Sequence, residues 1–123
     1  MRLDRVNLTA IGDVLVSLVD EALSEPGRVV RLSIPTSPSD GVQVFVKAPE
    51  DGPIFLAIRR PGGKEDPREI LALARHMGLV PLGEPERRYG KERRPLKGPR
   101  AYLVLRCELD PLIWEGRSMD EVA

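Results

Sequence analysis

The chain alternates between two hydrophobic periods, and each change of period marks a boundary between elements. From Ala10 to Ser24, the residues Ile11, Val14, Leu15, Leu18, Val19, Ala22 and Leu23 recur at intervals of three and four. That spacing puts them on one face of an amphipathic helix. Thr9 stands where an N-cap belongs, and Asp13 lies in the first turn, where the helix dipole favours a negative charge. Pro26-Gly27 ends the helix.

The period then falls to two. Val30, Leu32 and Ile34 share one face of the run 28–34, and Val42, Val44, Val46 and Ala48 share one face of the run 42–48. Ile54, Leu56 and Ile58 do the same in the run 54–60. The stretches 35–41 and 49–53 are turn chemistry, rich in Pro, Gly, Ser and Asp. Both are too short for a parallel crossover, so the three strands form an antiparallel meander.

Helical spacing returns after Pro61-Gly62-Gly63. Asp66 can cap, Pro67 suits the first helical position, and Glu69 completes a capping box. Ile70, Leu73, Ala74 and Met77 form the apolar stripe, and Gly78 fits a left-handed terminus. Leu79 to Leu82 reads as a short strand, 83–100 as a polar basic stretch, and 101–109 as a strand. Ala101, Leu103, Leu105, Cys107 and Leu109 share a face of that last strand. Asp110-Pro111 then turns the chain.

The order α-β-β-β-α-β-β, with one apolar face per element, predicts an α+β two-layer sandwich. Its antiparallel sheet has both helices packed on one face. Residues 1–123 read as one domain, with a mobile basic loop at about 83–100 and a tail at about 110–123.

Composition narrows the class. With 41% hydrophobic and 31% charged residues, the chain is neither disordered nor fibrous. No apolar run is longer than that of Ile54 to Ile58, which falls far short of the ~20 residues of a membrane helix. A lone cysteine forms no internal disulfide, and the charged N-terminal residues do not read as a signal peptide. These readings predict a soluble cytoplasmic protein with no membrane contact. Fifteen Arg to four Lys, one Asn, one Gln and twelve Pro give a thermophile-like composition.

Net charge is zero, 19 basic against 19 acidic residues, but the zero is a sum of opposed segments. Residues 1–86 carry −3, residues 87–106 carry +7 and residues 107–123 carry −4. Arg87, Arg88, Lys91, Arg93, Arg94, Lys97 and Arg100 are therefore candidate nucleic-acid contacts, with Arg106, Tyr89 and Tyr102 in the same stretch. The second candidate surface is the other face of the sheet. It carries Val29, Arg31, Gln43, Phe45, Lys47, Phe55, Ala57, Arg59, Tyr102, Val104 and Arg106. Phe45, Phe55 and Tyr102, together with Leu112, Ile113 and Trp114 of the tail, are candidate interface residues for a homodimer.

Catalytic chemistry finds little purchase. His76 follows Glu69 by seven residues, the one His-carboxylate pairing in reach. One His and one Cys exclude tetrahedral zinc sites of the Cys₄ or Cys₂His₂ type within one chain, and the carboxylates Glu65, Asp66 and Glu69 are better explained as a helix N-terminus than as a metal site. Cys107 follows the apolar alternation of its strand and reads as a core thiol. Pro61-Gly62-Gly63-Lys64 lacks the spacing and the hydroxyl of a phosphate loop. No catalytic residue, metal site or cofactor is expected. The sequence predicts a small non-enzymatic protein-interaction or regulatory module, homodimeric, with nucleic-acid binding through Arg87 to Arg106 as the alternative.

Overall fold

The computed structural model describes residues 7–37, 40–60, 65–89 and 101–114. A 3-10 turn at Leu8–Ile11 leads into helix α1, Gly12–Ser24. Thr9 does not cap the helix. It lies inside the turn, and Ile11 occupies the N-cap position with no side-chain hydrogen bond. Leu8, only 3% exposed, draws these residues against the core and tightens the entry. Leu15, Leu18, Val19 and Ala22 form the buried face of α1, while Val14 at its margin is exposed.

Strands β1 (Val29–Ser37), β2 (Asp40–Lys47) and β3 (Ile54–Arg59) form the meander the spacing predicts. The register aligns inward-facing residues in rows. Val30, Val46, Leu56 and Leu105 lie side by side across four strands, and so do Leu32, Val44, Ile58 and Leu103. Helix α2, Pro67–His76, starts on the capping box: the Asp66 side chain accepts from the Arg68 N–H at 2.8 Å, and Glu69 accepts from the Asp66 N–H at 3.0 Å. The chain leaves α2 through Gly78, whose φ of +71° is open to glycine at little cost.

The sheet has six antiparallel strands. The path runs β1-β2-β3-β6, with β6 (Ala101–Leu109) holding β3 on one edge and β4 (Leu79–Pro81) and β5 (Glu86–Tyr89) in succession on the other. Between β4 and β5 the Leu82 N–H still donates to the Arg106 carbonyl at 2.8 Å. Residues 83–100 are expected from sequence as irregular. Residues 86–89 of that stretch instead continue the edge, because β6 offers more backbone than three-residue β4 can pair.

Helix α1 packs over β1 and β2, and α2 over β3, β4 and β6, all on one face. The molecule is thus a two-layer α+β sandwich with one core between the layers. Leu15 and Val19 from α1, Ile70, Leu73 and Met77 from the α2 segment, and Val44, Leu56, Ile58 and Leu105 from the sheet are wholly buried. Each such side chain contributes roughly 1.5–3 kcal/mol by leaving water.

The tail begins with a helical turn at 111–114. The Asp110 carboxylate accepts from the Leu112 N–H at 3.0 Å and so caps it. Trp114 folds back onto the end of α2, where its Nε1–H donates to the Gly78 carbonyl at 2.9 Å. The Asp110 N–H donates to the same carbonyl at 2.9 Å. Among the described residues, no helix is long and apolar enough to cross a membrane.

Candidate binding face of the sheet

Among the described residues, one face of the sheet carries no covering layer. The helices occupy the side of Val30, Val44, Leu56 and Leu105. The opposite side carries the other half of each strand, and its register is more informative than its composition. Lys47, Phe55 and Arg106 form one cross-strand row. Arg31, Phe45, Ala57, Val104 and Glu86 form the next. Tyr102 pairs with Arg88 on β5. Every aromatic side chain on this face therefore has a cation as a direct cross-strand neighbour, within the ~4.5–5.5 Å Cβ spacing of such pairs. The Arg31 guanidinium carbon lies 6.0 Å from the centre of the Phe45 ring, at the outer limit of a cation–π contact.

Phe45, Phe55 and Tyr102 are half-buried, and they line a shallow groove of about 340 Å³. Lys47 and Arg88 stand at its margin, with Ala57 and Val104 on its floor. Small Ala57 between Phe45 and Val104 is what leaves the depression. The charge of the face is one-sided. Among described side chains it holds Arg31, Lys47, Arg59, Arg88 and Arg106 against Glu86 and Glu108. The one ion pair among these residues is Arg88 with Glu86, at 3.2 Å with both side chains about half exposed.

A second constellation is largely buried, and both of its carboxylates are ion-paired. Arg60, just past β3, directs its guanidinium to Glu69 at 2.5 Å, and its backbone N–H donates to Glu65 at 2.6 Å. Arg87 of β5 donates to the other Glu65 carboxylate oxygen and to the Glu65 carbonyl, both at 2.9 Å. Glu65 and Glu69 are buried, so their charges need these partners. Two cations and two carboxylates thus tie β3, α2 and β5 together.

The structure distributes the sequence candidates among different places. Arg87 and Arg88 are adjacent in sequence but belong to opposite faces: Arg87 turns inward to Glu65, and Arg88 lines the groove. Lys91, Arg93, Arg94, Lys97 and Arg100 lie outside the described residues. Of the candidate interface set, Phe45, Phe55 and Tyr102 come together in the groove. Leu112, 90% exposed, and Ile113 lie on the tail turn, and Trp114 is buried within its own chain. Glu69, the carboxylate that could have served His76, is wholly buried, ion-paired to Arg60 and engaged in the capping box. His76 is the last residue of α2 and half-buried. Burial pushes the Cys107 thiol up from 9.0 to about 12. Among the described residues, no three His, Cys, Asp or Glu side chains cluster as metal ligands would.

Sequence reasoning missed Arg88 and Glu86 as members of the face, because Glu86-Arg87-Arg88-Tyr89 has no apolar alternation to mark it as a strand. It also missed the Arg60 network. The available signal was position: Glu69 precedes Leu73 by four residues and Met77 by eight, so it lies on the buried stripe of α2. Compared with protein-family models, curated proteins and solved structures, the chain gives no match.

Proposed function

We propose that this protein is a binding module whose working surface is the uncovered face of its sheet. The observation that carries this reading is the groove of Phe45, Phe55 and Tyr102, in which each half-exposed ring sits beside a cation. A surface that had only to meet water would gain nothing by keeping three aromatic rings in one depression. Binding is favoured over catalysis because Glu69, the carboxylate the sequence offers to His76, is committed to Arg60 and to the α2 cap.

The reading is tested by amide NMR shift mapping against three occupants: a short single-stranded oligonucleotide, an acidic peptide, and the protein itself on dilution. Shifts gathered on Lys47, Phe55, Tyr102 and Arg106 support the reading, whichever occupant produces them. No shift on this face with any of the three overturns it.

A second reading, a homodimer formed through the tail turn, is favoured by Leu112 and Ile113. They leave 90% and 40% of their area exposed side by side. Light scattering of the wild type and of Leu112→Glu decides it: a dimer that becomes a monomer on substitution supports it, and a wild-type monomer at every concentration removes it.

A further inference from the structure

The chemistry of the face selects among occupants, and we infer that it binds single-stranded nucleic acid. The inference rests on the binding-face reading above and adds the class of partner. Its foundation is the repeated pairing of one ring with one cation. Phe55 stands between Lys47 and Arg106, Phe45 beside Arg31, and Tyr102 beside Arg88. A single strand presents the same alternation, one flat base and one phosphate per nucleotide. Bases stack on aromatic side chains, while the phosphates follow a cationic groove.

Other occupants fit less of what is there. A second copy seated on this face by a two-fold axis would set the face against itself. Five cations and two acids become ten against four, with the excess charge desolvated and unpaired. An acidic peptide would answer the cations but leave the ring faces without flat partners. A duplex keeps its bases stacked on each other, so Phe45, Phe55 and Tyr102 cannot reach them, and only the phosphates remain to be bound. The open groove of about 340 Å³ admits an extended strand from its sides, as a closed cavity would not. Arg31, Lys47, Arg59 and Arg106 form no ion pair with another described residue, and the pair Arg88 makes with Glu86 is half exposed, so a phosphate displaces it at little cost.

The test is fluorescence anisotropy of labelled single-stranded RNA and DNA, with the matching duplexes and an acidic peptide as competitors, over a series of salt concentrations. Binding tighter to single strands than to duplex is expected. Four phosphates taken up by Arg31, Lys47, Arg88 and Arg106 give a slope of log affinity against log salt of about −3. Phe55→Ala is expected to weaken binding about tenfold with the slope unchanged. Lys47→Ala is expected to flatten the slope by about 0.7. Lys47 is exposed, so this variant keeps the test intact if Phe55→Ala disturbs the fold.

No single-strand binding at low salt, equal affinity for duplex, or indifference to both substitutions overturns the inference. Amide shifts confined to this face on adding the acidic peptide, with none on adding oligonucleotide, overturn it too. They would leave the binding-face reading standing, so the two failures are distinguishable.

Discussion

Glu69→Gln isolates one charge in the core. The replacement keeps the shape of the side chain and an oxygen that can still accept from the Asp66 N–H, now 3.0 Å away, so the α2 cap survives. It removes the negative charge opposite the Arg60 guanidinium. Both groups are out of water, with side chains 7% and 0% exposed, so solvent cannot take over the lost interaction. Removing one member of a buried pair costs about 3–5 kcal/mol. The lower end applies here, because the amide oxygen can still accept a neutral hydrogen bond from Arg60. With a urea dependence of roughly 2 kcal/mol/M, a loss of about 3 kcal/mol moves the unfolding midpoint down by about 1.5 M at constant slope. Glu69→Ala removes the cap as well and adds about 1 kcal/mol. The double variant Arg60→Met with Glu69→Gln removes both charges and recovers part of the loss, since no unpaired charge is left in the core. Urea denaturation followed by circular dichroism measures all three. A midpoint for Glu69→Gln within about 0.3 M of the wild type, or a double variant no better than the single one, would refute the view that this pair is buried and mutually dependent.

Three further outcomes follow from the same structure. Gly78→Ala places a Cβ 2.8 Å from the Trp114 indole nitrogen at a φ of +71°; it should lower stability by about 1–3 kcal/mol and red-shift the emission of the single tryptophan, and unchanged emission would count against the docked tail. Cys107, pushed up to about 12 by burial, should resist a thiol reagent at pH 8 and react promptly in denaturant, its folded-state thiolate being about a thousandfold scarcer; equal labelling rates in both conditions would contradict its burial. Arg87→Ala should cost about 2 kcal/mol by leaving buried Glu65 without its cation, whereas Arg88→Ala should cost under about 0.5 kcal/mol, and equal effects in urea unfolding would mean that the two do not face opposite ways.

The layered fold was legible because its elements are strongly periodic. The α2 start could be placed to the residue, since Asp66, Pro67 and Glu69 each answer a different unpaired group at a helix N-terminus. The uncovered face was legible for the same reason: once the inward residues of β1, β2, β3 and β6 are known, the alternate residues must face the other way. What escaped notice was structure held by pairing and not by pattern. Strand β5 is polar along its whole length, and only the free edge of β6 makes it a strand. Trp114 stands among the candidate interface residues, and nothing local in the sequence shows that the carbonyl of Gly78, 36 residues away, receives its N–H.

Charge shows most clearly how folding reorganises what the chain carries in order. Along the sequence, the positive excess is concentrated between Arg87 and Arg106. The fold draws cations from across the chain to the uncovered face instead: Arg31 from β1, Lys47 from β2, Arg59 from β3, Arg88 from β5 and Arg106 from β6. At the same time it withdraws Arg87 from that face and commits it to Glu65. A two-residue period is enough to produce both effects, because neighbours on a strand necessarily serve opposite sides of the sheet. A neutral chain can therefore hold a cationic surface whose members are scattered along its sequence. The consequence for affinity is specific: the salt dependence of any anionic partner should track these five positions by face, not by their distance along the chain.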